Sequence, residues 1–145
     1  MLRSIKLLST VLIFALLTSC DKDDDPITPV YPTYKATLTG AQEVPTNSSI
    51  ASGTFNATLN TDTKVLTYTI TYTGMTANAW HLHKGAVGVS GPVEISLGST
   101  FTSPYSGSAT LTTQQETDLN AGLLYINIHS AIFPGGEIRG QVTRQ

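Results

Sequence analysis

The sequence predicts an all-β domain: an antiparallel β-sandwich, immunoglobulin-like or closed into a small barrel, of about seven or eight strands with one short connecting helix. Three observations carry this. Short runs rich in Thr, Val, Ile and Tyr alternate with period two, the pattern of a strand with one wet and one dry face. Clusters such as Asn60-Thr61-Asp62-Thr63, residues 85–91 and Pro134-Gly135-Gly136 supply turn chemistry between the runs. Only one segment, near residue 113, carries a helix-start signature, so a helical layer is excluded.

The strands are expected at residues 34–38, 53–59, 64–73, 79–83, 93–97, 107–111, 123–129 and 137–142. The third is the clearest: Leu66, Tyr68, Ile70 and Tyr72 alternate with Val65, Thr67, Thr69, Thr71 and Thr73. Short strands at this spacing close into a sandwich or small barrel. For the helix, Thr113 followed by Glu116 reads as a capping box, and Gly122 suits the left-handed residue that ends it. So short a helix is a connector with no chemistry of its own.

Three segments divide the chain. Residues 1–19 pair the positive flank Arg3 and Lys6 with the apolar run 7–17, too short for a span of about 20 residues. The run closes on Leu17-Thr18-Ser19-Cys20, which resembles a bacterial lipoprotein signal. That resemblance implies cleavage before Cys20, acylation of its thiol, and a membrane anchor that does not cross the bilayer. Residues 20–33 form a tether. Asp21-Lys22-Asp23-Asp24-Asp25 is similar to the acidic export signal of Bacteroidetes surface lipoproteins, implying an outer-membrane protein exposed at the cell surface; a solvated acidic run with no address is the other reading. Pro26, Pro29 and Pro32 make the rest an extended stalk.

Residues 34–145 are one domain's worth of chain. Six acidic and five basic side chains leave this part close to neutral, without the basic face that nucleic acid requires. Cys20 is the chain's single cysteine, so no disulfide staples the domain. Burial of sheet faces must stabilise it.

Three stretches carry a family resemblance: Ala36-Thr37-Leu38-Thr39-Gly40-Ala41-Gln42-Glu43-Val44-Pro45, then Trp80-His81-Leu82-His83-Lys84-Gly85, then residues 124–130 with Phe133-Pro134-Gly135-Gly136-Glu137-Ile138-Arg139-Gly140-Gln141. In this order they resemble the opening, central and closing blocks of the CHRD domain, the module first described in chordin. Trp80 stands where that family often has a small residue. The resemblance implies a fold and an extracytoplasmic setting; it does not carry growth-factor binding to this chain, because fold and function are separable.

His81, His83 and His129 are the chain's only histidines. His81 and His83 are two apart on a strand, so both rings leave one face, about 6.5 to 7 Å apart at their α-carbons. In the strand 123–129, Leu124, Ile126 and Ile128 turn inward while Tyr125, Asn127 and His129 turn outward. If the two strands are neighbours, the three imidazoles meet in a site suited to copper or zinc with an open coordination position. The other reading is that the histidines bond backbone and brace residues 85–91. His-x-His on a sandwich is also loosely similar to copper–zinc superoxide dismutases, but the further histidines and the aspartate of that enzyme's second metal are missing.

Glu137 and Arg139 share a face of the last strand and read as a surface ion pair, or Arg139 as the holder of a ligand carboxylate. Glu43 lies in a turn-like stretch, within reach of a buried backbone donor or Arg139. Glu43, Glu137 and Arg139 are thus the candidate ligand-binding residues. No serine elbow, phosphate loop or paired-carboxylate motif points to catalysis. Two functions follow: an anchored module presenting loops 84–92 and 99–106 to an extracellular protein or glycan, or a copper- or zinc-binding protein, sequestering or redox-active, built on the histidines.

Overall fold

A computed structural model describes residues 30–145. The leader, Cys20 and most of the tether lie outside them. The described part contains nine strands: β1 (Thr33–Thr39), β2 (Ser52–Asn60), β3 (Val65–Thr73), β4 (Ala77–Lys84), β5 (Val93–Ser96), β6 (Tyr105–Thr110), β7 (Leu124–Ser130), β8 (Ile138–Gln141) and β9 (Thr143–Arg144), with one helix, α1 (Thr113–Asn120). All eight expected strands form. The expected strand 137–142 ends at Gln141, and after the fully buried Val142 the chain pairs with β1 as β9.

Of the two expected forms, the barrel is found. The strands make one antiparallel sheet in the order β5-β4-β7-β8-β1-β2-β3-β6, curled into a nearly closed barrel. The β2–β3 hairpin shows why the turn forms: Asn60 Oδ1 accepts from the amides of Asp62 and Thr63, each at 3.0 Å. Alternation sends Tyr34, Leu38, Phe55, Leu59, Leu66 and Ile70 inward to meet Leu82, Ile126, Ile128 and Ile138, all fully buried. Fully burying one such side chain contributes roughly 1.5–3 kcal/mol.

Trp80 closes the seam between the two ends of the sheet. Its indole Nε1 donates to the Leu97 carbonyl at 3.1 Å, and Tyr68 Oη of β3 donates to the same oxygen at 2.8 Å. Phe101 and Tyr105 pack on the indole, with centroids 5.0 and 5.1 Å away. A large ring at position 80 is therefore the plug of the seam.

The helix forms where expected, but its cap is one residue earlier. Thr112 is the N-cap: its hydroxyl accepts from the Gln115 amide at 3.2 Å, and Gln115 Oε1 accepts from the Thr112 amide at 2.9 Å. Glu116 instead pairs with Lys64 at 3.1 Å. Gly122, at φ 68°, takes the left-handed conformation just past the helix.

Candidate functional site

β4 and β7 are hydrogen-bonded neighbours, with His81 opposite Asn127 and His129 opposite Ala79. On β4, Trp80 and Leu82 fill the barrel, so His81 and His83 leave by the outer face. On β7, Leu124, Ile126 and Ile128 are likewise inside, and Tyr125, Asn127 and His129 are outside it. His129 thus lies diagonally across from His81. The register brings together three side chains that are up to 48 residues apart in sequence.

One ring nitrogen from each histidine lies within 4.8 Å of the others. The ring centroids are 5.4, 5.7 and 6.1 Å apart. For three imidazoles around one ion, with nitrogens at about 2 Å and ring centres about 1 Å farther out, the expected separation of ring centres is about 5 Å. The three centroids stand within about 1 Å of that spacing.

Two backbone carbonyls set the tautomers. His83 Nδ1 is 3.0 Å from the Gly91 oxygen and His129 Nδ1 is 3.0 Å from the Pro134 oxygen. A carbonyl only accepts, so each Nδ1 carries the hydrogen and each Nε2 keeps its lone pair. His83 Nε2 and His129 Nε2, with His81 Nδ1, are buried and have no hydrogen-bond partner. The expected bonding to backbone is therefore present at one nitrogen of two rings, with His83 alone bracing residues 85–91, and the opposite nitrogens are left over. Burial, followed by the charges of the neighbouring histidines, lowers the pKa of His81. Burial also lowers that of His83, against the Gly91 carbonyl and with His129 and Arg139 adding to the effect. His81 and His83 thus favour the neutral form that a metal requires.

The outer face around this cluster is dry, which its polar composition did not suggest. Tyr125, Asn127, Glu137 and Arg139 are all buried, because residues 40–47 and 85–91 fold over them. Arg139 Nη2 donates to the carbonyls of Ala86 at 3.2 Å and Val89 at 2.9 Å, pinning the second loop. Gln141 Nε2 donates to the carbonyls of Gly85, Gly122 and Leu124. The expected surface pair of Glu137 with Arg139 does not form: the Glu137 carboxylate accepts from Ser49 Oγ at 2.7 Å, and the guanidinium lies flat on Tyr125, 3.4 Å from its ring centroid. Neither side chain is at the surface, because residues 85–91, expected to project toward a partner, fold back over the sheet together with residues 40–47.

Glu43 is also buried. Its two oxygens accept from Asn127 Nδ2 at 2.9 and 3.0 Å, and burial raises its pKa to about 7 against the lowering influence of Arg139. Glu43 and Arg139 both line a cavity of about 430 Å³ between Val44, Pro45 and Val87, whereas Glu137 does not. Tyr125 carries a role that its outward position in the sequence pattern left unassigned. Its ring stacks on His83 at 5.0 Å and 11°, and its hydroxyl both accepts from the Gly91 amide and donates to the Gly91 carbonyl, at 3.1 and 3.3 Å. Polar residues alternating with Leu124, Ile126 and Ile128 in so apolar a strand were the available signal.

A small antiparallel barrel whose outer sheet face holds a polar layer beneath two loops defines a compact β-module. The family model for the CHRD domain matches residues 34–142, and the chain belongs to that family. No curated protein and no solved structure gives a significant match. Among the described residues no helix is long and apolar enough to cross a membrane.

Proposed function

We propose that this CHRD domain is a transition-metal-binding module, taking copper or zinc on His81, His83 and His129. One observation carries the reading: each of the three histidines brings a ring nitrogen within 4.8 Å of the other two, and each has a buried ring nitrogen without a protein partner, two of these on rings whose other nitrogen is tied to a carbonyl. Leaving such groups unpaired costs about 1–3 kcal/mol each, and a bound ion satisfies all three. Carbonyl-anchored imidazoles are the usual outer support of metal ligands. When bound, the ion supplies a Lewis-acidic centre with a position left for water or a partner; the chain supplies the orientation and the dry surround.

The same reading places the module on a membrane through acylated Cys20, supported by the Leu17-Thr18-Ser19-Cys20 sequence that ends the apolar leader. Metal analysis of the purified protein tests the first part, with about one copper or zinc per chain expected and loss in the His81→Ala/His83→Ala double variant. A wild-type protein that neither retains metal nor melts higher in added copper or zinc refutes it. Palmitate labelling, absent in Cys20→Ala, tests the anchor.

A further inference from the structure

We infer that the three-histidine site selects copper as the monovalent ion over divalent ions. This deepens the metal reading and rests on it. The argument is one of charge. The three ligands are neutral imidazoles, so the complex carries the whole charge of the ion. Metal-bound histidines often donate their second N–H to a carboxylate, which offsets a doubly charged ion. Here both tied rings donate to neutral carbonyls, Gly91 and Pro134. The carboxylates of this face are engaged elsewhere, Glu43 with Asn127 and Glu137 with Ser49.

The charge that does reach the cluster is positive. Arg139, 2 % exposed, stacks on Tyr125, and Tyr125 stacks on His83, forming a column of guanidinium, phenol and imidazole. At about 10 Å and an effective dielectric of about 20, each additional unit of charge on the ion weakens binding by about tenfold. Three nitrogens from two paired strands complete a three-coordinate shell, whereas zinc completes its shell only with a further ligand.

The experiment compares affinities in the purified protein: copper(I) by competition with bicinchoninate under anaerobic, reducing conditions, and zinc(II) by competition with a chromophoric chelator. Tighter binding of copper(I), by more than about tenfold, is expected. The midpoint potential of the copper-loaded protein provides the second readout. Removing the cation in Arg139→Gln, or in Arg139→Met if the first does not fold, lowers it by about 59 mV for a tenfold change, while Arg139→Lys holds it near the wild-type value. Zinc binding equal to or tighter than copper(I), or a potential unmoved by loss of the Arg139 charge, overturns this inference and leaves the three-histidine site standing. Failure to bind any of these metals overturns both.

Discussion

Glu43 and Asn127, 84 residues apart, meet on the dry outer face of the barrel, where both carboxylate oxygens accept from one amide nitrogen. Burial raises the Glu43 carboxyl from 4.5 to about 7. The folded chain therefore binds more protons here than the unfolded chain between these two values, so this group's contribution to stability falls as pH rises through that window. Replacing it with the neutral Glu43→Gln removes the slope, and the variant gains on the wild type as pH goes from about 5 to about 8, by no more than about 2 kcal/mol after solvent screening. Urea midpoints of both proteins at the two pH values measure it. Taking the difference cancels His81 and His83, whose lowered pKa values act in the opposite direction. A difference that does not change with pH contradicts the burial of the carboxylate.

Gly136 sits directly over that pair, at φ 133°. A Cβ built there meets Asn127 Nδ2 at 2.4 Å and Glu43 Oε1 at 2.8 Å. Neither neighbour is free to move, since each holds the other. Gly136→Ala is expected to cost more than about 2 kcal/mol, from backbone strain and overpacking together. The check is a lower urea midpoint at unchanged slope.

The two threonines at the start of α1 separate the cap expected from the sequence from the cap that forms. Thr112→Ala removes the hydroxyl that accepts from Gln115 and is expected to cost about 1 kcal/mol. Thr113→Ala removes only an exposed contact with Lys64 Nζ at 2.9 Å and is expected to cost under about 0.5 kcal/mol. Thermal melts of the two variants give the order. Equal losses would place the cap elsewhere.

Local pattern accounts for what could be read from the chain alone. Period-two alternation located eight of the nine strands, all but the two-residue β9, because Leu66, Ile70, Ile126 and their like can be buried only on one face. The same alternation put His81 and His83 on one face, and the convergence with His129 needed only the pairing of β4 with β7. What alternation does not specify is the cover on the outer face. Residues 84–92 read as a loop presented to a partner and the stretch around Glu43 as a turn, and their folding over the sheet depends on Arg139, Gln141 and Asn127 finding carbonyls and a carboxylate far away in sequence. Hence Glu137 and Arg139 read as a surface pair although both are buried. The cap moved for a smaller reason: Thr112 and Thr113 are adjacent and each is followed three residues later by Gln115 or Glu116, so composition left two equivalent registers.

The seam of the barrel yields the sharpest energetic test, because two donors from opposite ends of the sheet share one acceptor. Trp80 Nε1 and Tyr68 Oη both donate to the Leu97 carbonyl. Removing one donor leaves that oxygen bonded by the other, so Tyr68→Phe alone is expected to cost about 1 kcal/mol. Trp80→Phe costs more, since it also empties volume against Phe101 and Tyr105. In the double variant the carbonyl of the fully buried Leu97 loses both side-chain donors. The double loss should therefore exceed the sum of the single losses by about 1 kcal/mol, the volume term cancelling in the cycle. Denaturant unfolding followed by far-ultraviolet circular dichroism supplies the four stabilities, as Trp80, the chain's only tryptophan, is absent from two of the proteins. Strict additivity would mean that the two rings do not act through the same oxygen, and that the barrel is held closed by apolar packing around Trp80 alone.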